Sequence, residues 1–245
     1  MTVPVMLPEI LRERMSQQLQ GFFPGSWPLV AECRQFRTVR PEVMDELWGV
    51  GWRNFGADFF RASLMSDETG LKRQIALRID VAEFKHSRSQ RRTFRRNADL
   101  HLSFHEAEPG DAESQLFEVH RVRFSHNVPD RLDEFLGPHP DGLPCRCLQL
   151  SVRLEERLVA ASFLALGSEA CSSIYAVFDP DYSRRRLGVF TMLAELAFAK
   201  EKGFRHYYNG YATVESSCYD YKKEFSALHY YDWEGSWLPV GNLKA

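Results

Sequence analysis

Cysteine is scarce in this 245-residue chain, with five residues, Cys33, Cys145, Cys147, Cys171 and Cys218, odd in number and mostly scattered. That pattern supports neither a disulfide framework nor a four-ligand zinc set, and the close-set Cys145-Arg146-Cys147, with no second pair beside it, is the one weak candidate for a metal. Reduced cysteines, no metal and no cofactor are expected. Long apolar runs are missing too. The most apolar stretch, Val159 to Leu166, is far shorter than the roughly 20 residues of a membrane span. Near the start stand Glu9, Arg12, Glu13 and Arg14 with no continuous apolar segment, which argues against a secretory leader. A soluble, cytoplasmic protein with no membrane association is the expectation. No repeat of fixed period and no low-complexity linker divides the chain. Neither sign of charge is in excess overall, the net charge being -2.

What is present is enough apolar material for a sizeable core: 44% hydrophobic residues, 13% aromatic. Pro41 to Trp48 reads as a short helix with proline in its first turn, and "LKRQIALRIDV" alternates as a strand. "CLQLSVRLEERLVAASFLAL" reads as two strands joined at Glu155-Glu156, and "SSIYAVF" as a third. The helix "VFTMLAELAFAKEKG" follows, with Phe190, Leu193, Leu196 and Ala197 at helical spacing and Gly203 as its stop. Then come a strand "FRHYYNGY", a short helix "ESSCYDYKKEFS" and a closing strand "LHYYDWEGSW". This order predicts an α/β fold, an acetyltransferase-like (GNAT-type) mixed sheet flanked by helices with an N-terminal subdomain. Turn-forming residues between Glu106 and Ser114 suggest an N-terminal region at 1–105 and a C-terminal domain at 106–245.

Against the near-neutral whole, "SRSQRRTFRRN" stands out. From Lys85 to Asn97 there are six Lys or Arg and no Asp or Glu, so this segment carries +6 while the remainder carries -8. Ser87 followed by Gln90 is a capping-box pattern, which predicts a helix. Arg88, Arg91, Arg92, Arg95 and Arg96 then share one broad face, where like charges at i,i+4 repel. An anionic partner relieves that cost, and a polyphosphate backbone suits guanidinium forks. The plainer alternative is that carboxylates from elsewhere in the fold pair with these arginines.

A second cluster, Arg184-Arg185-Arg186, precedes Leu187-Gly188 at a helix start. Acetyltransferases carry Q/R-x-x-G-x-G/A there to hold the coenzyme A pyrophosphate on backbone N–H groups. Arg185 and Gly188 match, but Phe190 occupies the place of the second small residue and is expected to crowd a pyrophosphate.

Taken together, "GWRNFGADFFR", "LRIDVAEFKHSRSQRRTFRRNADL", "SSIYAVFDPDYSRRRLGVFTMLAELAFAKEKGFRHYYNGY" and "YDYKKEF" resemble the aminoacyl-tRNA-protein transferases, that is, arginyltransferase and the bacterial aspartate/glutamate leucyltransferase. The family's YDPD-x-x-x-R-S-L-G falls on Phe178-Asp179-Pro180-Asp181 through Arg186-Leu187-Gly188, with Arg186 in place of Ser. Its Gly-Tyr and later Tyr-Lys fall on Gly210-Tyr211 and Tyr221-Lys222. The resemblance implies a fold that takes aminoacyl-tRNA in place of acetyl-CoA and passes the amino acid to an acceptor amine, at a peptide or protein N-terminus or on a small molecule. The family's N-terminal cysteines are absent here: Gln20 precedes "GFFPG", and "RASLMSDETGLKRQIALRIDV" has none.

Converting an ester into an amide needs no ATP and no covalent enzyme intermediate. It requires a deprotonated amine and stabilisation of a developing oxyanion. The candidate catalytic residues are Asp179 and Asp181, to hold or relay an ammonium proton, with Tyr211, Tyr221 and Lys222 to meet a terminal adenine, a phosphate or the oxyanion. Capping and core packing are the competing roles for the aspartates and tyrosines. Arg53 is a candidate for an acidic acceptor side chain, or a surface loop residue. Arg88, Arg91, Arg92, Arg95, Arg96, Arg184, Arg185 and Arg186 are the candidate tRNA-binding residues. The alternatives are an acyl-CoA N-acetyltransferase and a non-catalytic tRNA-binding protein.

Overall fold

The computed structural model describes residues 27–67, 69–124 and 130–243. Gln20 and the charged residues near the start lie outside the described residues. β1 (Ala31–Gln35), β2 (Arg53–Phe55) and β3 (Asp58–Ala62) form a small antiparallel sheet in the order β1-β3-β2. Between β1 and β2 runs α1 (Pro41–Gly49), which starts with proline as expected because its ring pre-sets φ and its missing N–H is not needed there.

The large sheet contains β5 (Gly70–Asp80), β6 (His101–Glu106), β7 (Cys147–Leu154), β8 (Arg157–Leu166), β9 (Ala170–Phe178), β10 (His206–Thr213), β11 (Leu228–Tyr231) and β12 (Trp237–Pro239). Their order is β12-β11-β5-β10-β9-β8-β7-β6, with β4 (Leu64–Asp67) pairing with β5 beside that path. β5, from the region expected at 1–105, therefore lies between β10 and β11 of the region 106–245, and β6 hydrogen-bonds to β7.

Every pairing in this sheet is antiparallel except β9 with β10. A parallel pair needs a crossover, supplied here by α5 (Leu187–Glu201). The remaining α-helices among the described residues are α2 (Arg88–Arg96), α3 (Asp111–Arg121) and the single turn α4 (Asp133–Leu136). This is the expected acetyltransferase-like mixed sheet flanked by helices. Among the described residues no helix is long and apolar enough to cross a membrane.

Strand alternation sends successive residues to opposite faces. Leu164 joins Leu193 and Leu196 of α5, whereas Phe163 packs with Phe117 of α3 and Phe135 of α4. α5 is covered on almost every side, and Ala197, expected in its apolar stripe, is exposed. Two local readings change. The helix expected at 215–226 is a single 3-10 turn at Asp220–Glu224, and the closing strand splits into the hairpin β11-β12 because Trp233 and Gly235 take positive φ.

Candidate active site

β9 and β10 pair over only three residues, His206 with Ala170, Tyr207 with Cys171 and Tyr208 with Ser172. Beyond Ser172 the two strands part, and β10 carries a bulge between Tyr208 and Gly210 where it meets β5. A bulge leaves a residue out of the ladder and turns the strand. The gap that opens is lined from three directions.

From the small sheet comes Arg53 on β2. The expected alternative of a surface loop residue is corrected: Arg53 is only 7% exposed, because its guanidinium reaches the Ser172 hydroxyl and the Ser173 carbonyl at the parting of the strands. From the 3-10 turn comes Lys222, whose Nζ donates to the Tyr211 carbonyl at 3.2 Å and lies 5.1 Å from the Tyr219 ring. Gly210 lies between the two cations. With φ of +90° it adopts a conformation that favours glycine, and a Cβ there would stand 2.9 Å from Lys222 Nζ and 3.7 Å from Arg53 Nη2. Enclosure by protein, and then the neighbouring Arg53, bring the Lys222 ammonium down to about 7. Among the described residues neither cation is paired with a carboxylate.

Glu195 of α5 lies beneath the parting point and is fully buried. Tyr207 Oη donates to its Oε2 at 2.5 Å, while Oε1 has no hydrogen-bond partner. Burial pushes its carboxyl up to about 7, against the lowering pull of Tyr207. Sequence reasoning missed this residue, although a glutamate inside "TMLAELAF" on a helix apolar all round has no solvent face to reach. Asn209 in the bulge was missed as well; it is 3% exposed and its Oδ1 is unpartnered.

The other candidates have different surroundings. Asp179 is 4% exposed and its carboxylate is occupied: Oδ1 accepts from the Asp181 N–H at 3.0 Å and Oδ2 pairs with Arg157 at 2.6 Å. It caps the 3-10 turn Pro180–Arg185 at the far end of β9, ~20 Å along the strand from Ser172. Asp181 is exposed on that turn. The Tyr211 phenol donates to the carbonyls of Gly51 at 2.7 Å and Phe60 at 3.2 Å, so that it fastens the small sheet to the large one. Tyr221 is half-buried, and burial raises its phenol to about 12.

The two arginine clusters meet. Ser87 and Gln90 form the expected capping box of α2. Arg88, Arg91, Arg92, Arg95 and Arg96 are all exposed, and among the described residues none is in an ion pair. The loop before α5 is fastened to α2: Arg96 donates to the Arg184 carbonyl, Asn97 Nδ2 to the Arg185 carbonyl at 2.9 Å, and Arg186 to Ser89 Oγ at 2.8 Å. Arg185 grips Asp99 with bonds of 2.7 and 2.8 Å, and Arg186 lies 3.6 Å from Glu224. Arg184 alone of its triplet stays exposed and without an ion pair among the described residues.

Phe190, expected from the sequence to crowd a pyrophosphate on this loop, is instead turned into the core, buried against Phe94 of α2 at 5.7 Å between ring centroids. Gly188 is small because a Cβ would meet the Phe178 ring at 3.0 Å. Cys145 and Cys147 are buried, and burial pushes the Cys145 thiol up to about 12. No group of three or more potential metal ligands occurs among the described residues.

Residues 96–232 match the family model described as "Arginine-tRNA-protein transferase, C terminus". The chain is 28% identical over 202 residues to an aspartate/glutamate leucyltransferase of Campylobacter jejuni, covering 80% of this chain and 82% of the relative. It is 26% identical over 193 residues to the enzyme of that name from Leptospira interrogans, covering 76% and 72%. With the one from Stenotrophomonas maltophilia the identity is 31% over 169 residues, covering 64% and 66%. Among solved structures it superposes on FemX with a TM-score of 0.47 at 9% identity, covering 89% of this chain and 76% of that one.

Proposed function

Because this chain belongs to the arginine-tRNA-protein transferase family and is an aminoacyl-tRNA-dependent aminoacyltransferase, we propose that it passes the amino acid to the N-terminal amine of an acidic peptide or protein in the gap between β9 and β10. The observation that carries this reading is the pair of cations, buried Arg53 and half-buried Lys222, on either side of Gly210. Two such charges without a paired carboxylate leave a demand for negative charge that an acidic acceptor side chain meets.

The amine nitrogen attacks the ester carbonyl carbon. A C–N bond forms, the bond to the ribose 3′ oxygen breaks, and one proton moves from nitrogen to that oxygen. An N-terminal amine titrates near 7.7 to 8.0, and Lys222 near 7 is close enough to take that proton and return it to the leaving oxygen. Arg53 stays charged and receives the acceptor carboxylate. The unpaired arginines of α2, with Arg184, supply contacts to tRNA phosphates, whereas Arg185 and Arg186 act as internal fasteners. The supply of charged tRNA makes the cytoplasm the proposed setting.

The test is to incubate the protein with labelled aminoacyl-tRNA and peptides beginning with Asp, Glu, Ala or Lys, with labelled acetyl-CoA in parallel. Label is expected to move from aminoacyl-tRNA to the acidic peptides first. Label moving only from acetyl-CoA overturns the reading, and equal labelling of all four peptides overturns the role of Arg53.

A further inference from the structure

Arg186 joins three segments that lie far apart in the chain. At the residue before α5 its backbone takes φ of +55°, a left-handed conformation that is costly for a residue with a Cβ and persists where the surroundings over-determine it. From there the guanidinium spreads to two sides. Nη1 donates to Ser89 Oγ of α2 at 2.8 Å, and Nη2 lies 3.6 Å from Glu224 Oε2. Glu224 is the last residue of the 3-10 turn that carries Lys222.

A single 3-10 turn has poorer hydrogen-bond geometry than an α-helix, so side chains at its two ends set where it lies. At the first end Asp220 pairs with Lys223 at 2.8 Å and accepts from Ser216 Oγ at 2.9 Å. At the second end everything leads toward α2. Beyond Glu224, Ser226 Oγ accepts from the Lys85 N–H and donates to the Lys85 carbonyl, both at 2.8 Å, and Phe225 stacks on Phe84 with centroids 6.0 Å apart. Arg186 is the polar link between that end of the turn and the body of the helix. An exposed ion pair adds little to global stability. It still matters here, because Lys222 Nζ must stay beside the Tyr211 carbonyl at 3.2 Å, and a displacement of about 1 Å at a reacting group is costly in rate.

We propose that Arg186 is a positioning residue for the transfer reaction: by bridging Ser89 and Glu224 it fixes the turn that presents Lys222 to the helix whose arginines face tRNA phosphates. Engagement of α2 and placement of Lys222 are then mechanically one. This rests on the reading of the gap as the transfer site.

The test uses Arg186→Ala and Glu224→Ala, which remove the bridge while the bonds of Arg96, Asn97 and Arg185 keep the loop on α2. Each is expected to lower kcat about tenfold, with the KM for aminoacyl-tRNA and the salt slope of tRNA binding unchanged. The double variant should be no slower than either single one, since only one link is lost. Arg186→Lys, with one nitrogen for two partners, should recover part of the rate. A second readout needs no substrate: labelling of Lys222 by acetic anhydride across pH, followed by mass spectrometry with exposed Lys200 as the internal reference. Wild type should show a midpoint near 7 and both alanine variants a higher one, because a displaced turn loosens the burial of Lys222 and moves it from Arg53. An unchanged kcat with an unchanged Lys222 midpoint overturns the proposal. So does a shallower salt slope in Arg186→Ala, which makes this residue a phosphate contact, and so does a lower Tm with the Lys222 midpoint unmoved, which makes the bridge structural only. A shifted midpoint in a protein that transfers no amino acid leaves the bridge standing and removes the transfer reading.

Discussion

Lys222 is half-buried beside a guanidinium, and both conditions favour its neutral form. Its folded value near 7 lies below the ordinary 10.5. Between those values the unfolded chain holds a proton that the folded chain does not, so unfolding takes up a proton and stability rises with pH across that window. At neutral pH and below, the penalty is present in full. Lys222→Met should therefore raise Tm by about 2 to 4 °C near neutral pH, with the gain shrinking as pH approaches 10, while abolishing transfer. Calorimetry at several pH values checks the first part. For the second, kcat/KM of wild type should rise through a limb near pH 7, and Lys222→Ala should lose that limb and about 10²- to 10⁴-fold in rate. An unchanged pH profile in Lys222→Ala rules out proton relay by this residue. Lys222 was readable from "YDYKKEF", and Arg53 from "GWRNFG". Glu195 and Asn209 were not, because their significance depends on which strands stand above them.

At the scale of an element, α2 keeps a cluster of like charges on its surface at a cost, and the structure provides no carboxylates on that face among the described residues. If the helix contacts phosphates, each one neutralised contributes on the order of 0.7 to 0.9 to the slope of log affinity against log salt. Arg95→Ala should make that slope shallower by about one and weaken all tRNAs alike. Arg185→Ala should do something different: with the Asp99 grip lost, Tm falls while the slope stays constant. Filter binding across a salt series, with thermal melts, separates the two classes. A falling Tm and constant slope for Arg95→Ala would make the whole helix face structural. The capping box and the arginine spacing were legible locally. The division of eight arginines into exposed and fastened ones was not, since Asp99, Ser89 and Glu224 reach Arg185 and Arg186 only through the packing of α2 on the loop.

For the whole molecule, the decisive fact is that β5 sits between β10 and β11. A fragment beginning at residue 106 would lack that strand, leave the bulged edge of β10 and the edge of β11 unpaired, and expose Tyr207, Ala212 and Leu228. It is expected to be insoluble or molten, and co-expression with residues 1–105 is expected to restore a folded complex. A cooperative melt from the fragment alone would contradict this. The same interleaving delivers Arg53, because the small sheet is fastened through Tyr211 against the large one.

From local chemistry alone the chain determined the starts of α1 and α2, the β7-β8 turn, the α5 crossover and the basic face of α2, since caps, turn residues and periodicity act over a few neighbours. Its motifs pointed to Lys222. Only the tertiary structure decided that Asp179 pairs with Arg157, that Phe190 packs on Phe94 of α2 and that Glu195 is buried against Tyr207. The point where β9 and β10 part is likewise set by long-range pairing and by the bulge at Asn209. Strand alternation fixes two faces for every residue, but which face becomes a site depends on the neighbours that arrive from distant parts of the chain.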